Sequence, residues 1–159
     1  MDRPGALARL RAVVAGFAAT RLADTPAWCV ALSGGPDSLA LTAVAAATLP
    51  TTALVGDHGL QPGSAAAAQT AYSQALDLGC VAAQILSVKV GAAGGPEAAA
   101  RAARYAALDT ARVGAPVLLA HTLDDQAETV LLGLGRGSGP RSIAGMRPCD
   151  PPWYRPLLD

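Results

Sequence analysis

The run WCVAL (28–32) is apolar throughout, with Thr25 and Pro26 before it and the polar SGGPDS (33–38) after it. Uninterrupted apolar character over so short a span, with turn residues at both ends, predicts a buried strand. Pro36 then suits the first turn of a helix, where its missing N–H would have no partner anyway. A second short run at 52–55 predicts another strand, ending in GDHG (56–59). Residues 64–78 predict a helix closing at Gly79, residues 81–90 a third strand, and residues 91–95 a glycine-rich turn. Pro96 opens a helix to about residue 113, in which Glu97 and Arg101 stand at i, i+4 in the favourable order for pairing. Residues 117–120 form a fourth apolar run, residues 124–132 a short helix, and GLGRGSGPR (133–141) a glycine-rich stretch. The opening segment, MDRPGALARLRAVVAGFAATRLAD, carries arginines inside its apolar pattern and predicts an amphipathic helix rather than a targeting segment. The tail DPPWYRPLLD is too rich in proline for a central strand, although 153–157 suits a sheet edge.

Strand and helix thus alternate at least four times after an initial helix. This order specifies an α/β fold, a mostly parallel sheet with helices on both faces, built as one domain over 1–159. In such sheets ligands bind beyond the carboxyl ends of the strands. SGGPDS, DHG and HTLDD all fall at such ends.

Composition narrows the picture. Hydrophobic residues make up 52% but aromatics only 4%, so the core is filled mainly by alanine, valine and leucine. No apolar run approaches the roughly 20 residues that span a bilayer, so a soluble cytoplasmic protein without membrane contact is expected. Three cysteines, Cys29, Cys80 and Cys149, stand far apart with no C-x-x-C pair, which argues against a zinc ribbon, an iron–sulfur site or a disulfide scaffold. Net charge is zero, but no lysine or arginine lies between Arg21 and Lys89. From Thr129 to Cys149 the only charges are Arg136, Arg141 and Arg147, which suit either a phosphate-facing loop or a solvated one.

SGGPDS leads from a strand into a helix N-terminus, where free amides and the positive end of the helix dipole attract an anion. Ser33 and Ser38 add hydroxyl donors. It is neither the G-x-x-x-x-G-K-[ST] loop nor G-x-G-x-x-G. A tight turn with Asp37 complementing the dipole is the competing reading. In HTLDDQAET (121–129), Asp124 or Asp125 can hold magnesium, a hard cation that shares oxygen ligands with phosphates. Asp125 and Glu128 also have the spacing of a capping box. His58 and His121, the only histidines, both lie in strand-end clusters. A transition metal on H-x-x-D-D lacks a third ligand. Arg101 and Arg104 project from neighbouring turns and suit a clamp on phosphate or carboxylate, or a solvated face.

Taken together, SGGPDS resembles the PP-loop of the N-type ATP pyrophosphatases. Four further segments resemble the tRNA(Ile)-lysidine synthetase family within them: DHGLQ, PEAAARAARYAAL, LLAHTLDDQAETVLLGLGRGSGP with IAGM, and the terminal RPLL. The match is ordered and runs from about Val30 to Leu158. The resemblance implies the adenine nucleotide alpha hydrolase-like fold, shorter at its C-terminal end than the full enzymes. It implies ATP and Mg2+ as cofactors, with tRNA(Ile) bearing a CAU anticodon and free L-lysine as partners; a homodimer is left open. It also implies a two-step reaction, adenylation of the wobble cytosine carbonyl oxygen with release of pyrophosphate, then displacement of AMP by the lysine amine.

By the same resemblance Ser33, Gly34, Gly35, Pro36, Asp37 and Ser38 hold ATP, joined by Asp57 and His58. Asp37 lies near magnesium and Asp124 or Asp125 supplies the second acidic element. His121 positions substrate or moves a proton, and Arg104 sits near the phosphates or lysine. Arg101, Arg136 and Arg141 face tRNA or phosphate. Two positions depart from the family's pattern, Val55 where histidine is frequent and Gln61 where arginine is frequent. The alternatives are the same ATP chemistry with another acceptor, as in tRNA thiolation or amide-forming synthetases, and a nucleotide-binding module without turnover.

Overall fold

The computed structural model describes residues 4–59, 61–89, 95–137 and 145–158. Elements alternate as expected: α1 (Pro4–Arg21), β1 (Trp28–Leu32), α2 (Pro36–Thr48), β2 (Thr51–Asp57), α3 (Ser64–Asp77), β3 (Ala82–Ser87), α4 (Pro96–Ala111), β4 (Val117–Leu118), α5 (Leu123–Gly135), β5 (Cys149–Asp150) and β6 (Trp153–Tyr154). The sheet order is β3-β2-β1-β4-β6-β5. All neighbours are parallel except the β5–β6 hairpin.

Period-2 geometry turns alternate residues of β1 to opposite faces, and both faces are covered, which is why WCVAL reads as continuously apolar. Trp28, Val30 and Leu32 join Val14 and Phe17 of α1, Leu41 and Val44 of α2, and Ala68, Ala71 and Ala75 of α3. Cys29 and Ala31 join Leu54, Val117, Leu119 and Leu108 of α4 on the other face. Small alanines let α3 lie close to the sheet. Inside the first layer the Trp28 indole Nε1–H donates to Thr51 Oγ1 at 2.8 Å, which leaves that buried indole satisfied. On α1, Leu10, Val14, Phe17 and Ala18 face the core at helical spacing while Leu7 and Val13 stay exposed, so the helix buries one face but is not the amphipathic helix expected, its apolar residues being spread around the axis.

Several boundaries differ from the sequence reading. The third strand ends at Ser87, although the Val88 amide still reaches Asp57 O at 2.9 Å, and Val90 lies outside the described residues. Helix α4 stops at Ala111 because Val113 (φ 48) and Gly114 (φ 79) take left-handed conformations. The tail does not form the sheet edge. Strand β6 lies between β4 and β5, because Pro152 and Tyr154 offer carbonyls to the amides of Val117 and Leu119 at 2.9 and 2.8 Å. A proline that donates nothing is tolerated where only its carbonyl is needed. The edge is β5, a two-residue strand that the pattern of apolar residues does not mark. Among the described residues no helix is long and apolar enough to cross a membrane.

Candidate active site

The chain leaves β1 for β2 and β3 on one side, then crosses back to place β4 on the other side of β1. Such a reversal opens a crevice at the carboxyl ends of the two central strands. A cleft of about 230 Å³ lies there, lined by Ser33, Gly35, Pro36, Asp37 and Ser38 after β1, by Arg104 of α4, and by His121 and Asp125 after β4. Two recesses adjoin it at Ser33. One, of about 270 Å³, includes Gly56, His58, Val88 and Arg104; the other, of about 390 Å³, includes Val55, Asp57, His58 and Gln61.

The turn after β1 is built to leave amides open. Gly34 sits at φ +87, a conformation that side chains disfavour, and this reverses the chain over Ala71 of α3. Ser33 and Ser38 share a 2.9 Å hydroxyl contact, the Gly35 amide donates to Ser33 Oγ at 3.3 Å, and the Ser38 hydroxyl donates to Gly35 O at 3.1 Å. Helix α2 has Gly35 at its N-cap with no side-chain cap. Its first-turn amides are therefore free for an anion. Asp37 is exposed, and no hydrogen bond engages its carboxylate among the described residues.

Across the cleft, Thr122 caps α5, and Asp125 is its N3 partner. Asp125 Oδ2 accepts from the Thr122 amide at 2.7 Å and from the Thr122 hydroxyl at 3.0 Å. The capping box is thus Thr122 with Asp125, not Asp125 with Glu128, because the helix begins at Leu123, three residues before an Asp125 cap would start it. Asp125 lines the cleft as well, whereas Asp124 is exposed and does not. Among the described residues no three histidine, cysteine or acidic side chains gather as metal ligands.

His121 touches a group the sequence reading did not single out. Arg155, 5% exposed, donates from Nε to His121 Nδ1 at 3.1 Å, from Nη1 to Arg147 O at 3.0 Å and from Nη2 to Tyr105 Oη at 3.2 Å. Burial, then the charges of Arg155, Arg104 and Arg101, push His121 down from 6.5 to about 4, with Asp125 opposing. Burial also lowers the Arg104 guanidinium, opposed by Tyr105 and assisted by Arg101. Arg101 does not pair with Glu97; its guanidinium lies 5.3 Å from the Tyr105 ring centroid. Among the described residues the single ion pair is Arg112 with Asp109. The arginines beside the cleft therefore present positive charge without carboxylate partners.

On the β2 side, Asp57 Oδ1 accepts the Gly59 amide at 3.0 Å, and His58 Nδ1 is buried without a hydrogen-bond partner among the described residues. Arg136 terminates α5 and is exposed, roughly 17 Å along the helix from Asp125 at 1.5 Å per residue. Arg141 lies outside the described residues. Cys29 and Cys80 are buried in opposite layers, and burial raises both thiols, so neither is suited to bind metal as a thiolate.

The chain is similar to known proteins. A tRNA(Ile)-lysidine synthase of Mycolicibacterium paratuberculosis is 73% identical over 158 residues, covering 99% of this chain and 49% of its own length. That of Nocardia farcinica is 64% identical over 151 residues, covering 94% and 48%. The chain spans about half the length of these curated relatives. Among solved structures, a U34-tRNA thiolase from Methanococcus maripaludis superposes with TM-score 0.71 at 16% identity, over 95% of this chain and 59% of that one. An NH3-dependent NAD synthetase from Campylobacter jejuni gives TM-score 0.60 at 16% identity, over 100% and 68%. These two likenesses establish the fold alone. The family model described as a PP-loop domain matches residues 9–159, and with the uncapped SGGPDS turn at the switch point of a parallel sheet, the chain belongs to the ATP-binding PP-loop domain family.

Proposed function

We propose that the protein is an ATP-dependent ligase of the cytoplasm, which joins free lysine to the wobble cytidine of tRNA(Ile) with a CAU anticodon and releases AMP and pyrophosphate. One observation carries the ATP chemistry: a single cleft unites the open amides of α2, two carboxylates and the Arg104 guanidinium, which has no ion-pair partner among the described residues. The acceptor rests on the 73% identity to a curated synthase, in a match that covers 99% of the chain.

Each residue then has a physical task. Amides of the α2 N-terminus and the Ser33 and Ser38 hydroxyls receive phosphate oxygens. Arg104, at the junction of the cleft and the recess under β2, opposes the negative charge that grows as pyrophosphate leaves. A ligand in that recess can satisfy the orphaned His58 Nδ1. Asp37 and the free oxygen of Asp125 suit a magnesium ion, which takes one or two carboxylates and completes its shell with phosphates and water. When bound, that ion supplies charge neutralisation on the phosphates. Arg136, at the far end of α5, suits a contact to tRNA phosphate away from the reacting atoms.

The test is incorporation of labelled lysine into a CAU-anticodon tRNA(Ile) transcript, with AMP measured in parallel. Incorporation that needs ATP, magnesium and Asp37 is the expected result. AMP formation that ignores lysine but follows ammonia or a sulfur donor would overturn the choice of acceptor.

A further inference from the structure

Arg155 is a buried cation with no carboxylate partner among the described residues. A guanidinium only donates hydrogen bonds and stays protonated. Its Nε–H reaches His121 Nδ1 at 3.1 Å, so that nitrogen must present its lone pair. A neutral imidazole whose Nδ1 accepts carries its proton on Nε2. No protein group takes up Nε2 among the described residues. His121 itself lines the cleft between the α2 turn and Asp125.

Arg155 cannot easily turn away. Nη1 is held by the Arg147 carbonyl and Nη2 by the Tyr105 hydroxyl. The Tyr105 ring is fixed in turn by the edge-to-face Trp153 at 4.8 Å and by Arg101. Strand β6, the loop before β5 and helix α4 therefore converge on one guanidinium. The charged and titratable groups around His121 are Arg155, Arg104 and Arg101, with Asp125 and Asp37 across the cleft.

We propose that Arg155 is a positioning residue that locks His121 as the neutral Nε2–H tautomer, making His121 a hydrogen-bond donor to an oxygen of the bound substrate and not a proton acceptor. The proposal deepens the ligase reading and rests on it only for the identity of that oxygen, a phosphate or the cytosine carbonyl. A neutral donor can bond an oxygen that becomes more negative during reaction without adding a further charge to an already cationic cleft. The proton of the incoming amine must then leave to another group or to water.

The experiment is long-range proton–nitrogen correlation NMR of the 15N-labelled chain at pH 7. With only His58 and His121 present, the His121→Gln variant assigns the two rings. A pyridine-like Nδ1 and a proton-bearing Nε2 on His121 are expected; a proton on Nδ1, or two averaged nitrogens, would overturn the proposal. In Arg155→Met, which keeps an unbranched side chain but removes the donors, the His121 nitrogens should move toward averaged shifts while the His58 signals hold their positions. A fixed Nε2–H form persisting in that variant would remove Arg155 from the role. Failure of lysine incorporation with the tautomer intact would count against the ligase reading alone.

Discussion

Acid should destabilise this protein through His121 in a window set by its burial. The ring titrates at about 4 in the folded chain against 6.5 when free, so between those values the unfolded state binds a proton that the folded state refuses. Stability is therefore fully present above pH 6.5 and falls as pH drops toward 4, the direction required when the unfolded form holds more protons. At about 1.4 kcal/mol per unit the gap amounts to about 3 kcal/mol. The ring faces a cleft, and solvent screening reduces this to about 1–2 kcal/mol. Urea unfolding of the wild type and of His121→Gln at several pH values between 4 and 7.5 measures the difference. Glutamine keeps an oxygen acceptor for Arg155 but cannot titrate, so the wild type should lose about 1–2 kcal/mol more than the variant across the window. A stability difference independent of pH would refute the reasoning, because it would mean that His121 binds its proton equally in both states.

Other perturbations follow from the same geometry. Gly145→Ala should cost about 2 to 3 kcal/mol in urea unfolding. Its Cβ would lie 2.5 Å from Gln126 Oε1 at φ +71, and Gln126 is pinned by two hydrogen bonds to the Met146 backbone, of 2.7 and 2.6 Å. Val113→Gly should stabilise by about 1 kcal/mol and raise Tm by about 2–4 °C, because an exposed β-branched residue at φ 48 is replaced by one that suffers no strain there. Thr122→Ala should cost about 1 kcal/mol of stability through the lost N-cap while magnesium-dependent AMP release persists; Asp125→Ala should lose both, and equal activity losses in the two variants would count against a cleft role for Asp125. Arg136→Ala should weaken tRNA binding and flatten its salt dependence by about one unit of slope, with ATP binding unchanged in calorimetry.

Much of the fold was legible because it rests on local signals. WCVAL followed by SGGPDS could be placed as strand, turn and helix, since burial on both faces, a left-handed glycine and an N-terminal proline each leave a mark in the residues themselves. The common edge of the three polar clusters followed from strand alternation. What stayed hidden was long-range. Nothing in WYRPLL marks Trp153 and Tyr154 as an internal strand, because their partners are carbonyl and amide groups of β4 more than thirty residues away. Within RPLL nothing local marks Arg155 as buried until the fold brings Tyr105, His121 and Arg147 around it. The Thr122 cap was missed for a different reason. Leu123, 61% exposed, stands outside the helix's buried stripe, so the apolar period starts later than the hydrogen bonding does.

The long-range contacts also explain how one cleft can hold opposite charges without collapsing into ion pairs. Asp125 is tied by one oxygen to Thr122, and Arg155 is tied to neutral acceptors, so neither is free to seek the other. Arg101 is drawn onto an aromatic face, and Arg104 stays part-buried between the cleft and the neighbouring recess. Such tethering costs some electrostatic stability in the empty protein, because cations sit close to one another without compensation. An anionic ligand relieves that repulsion on binding. In the proposed reaction the same positions would oppose charge that shifts onto the leaving group, with little reorganisation of the side chains, which is the condition under which preformed charges lower a barrier.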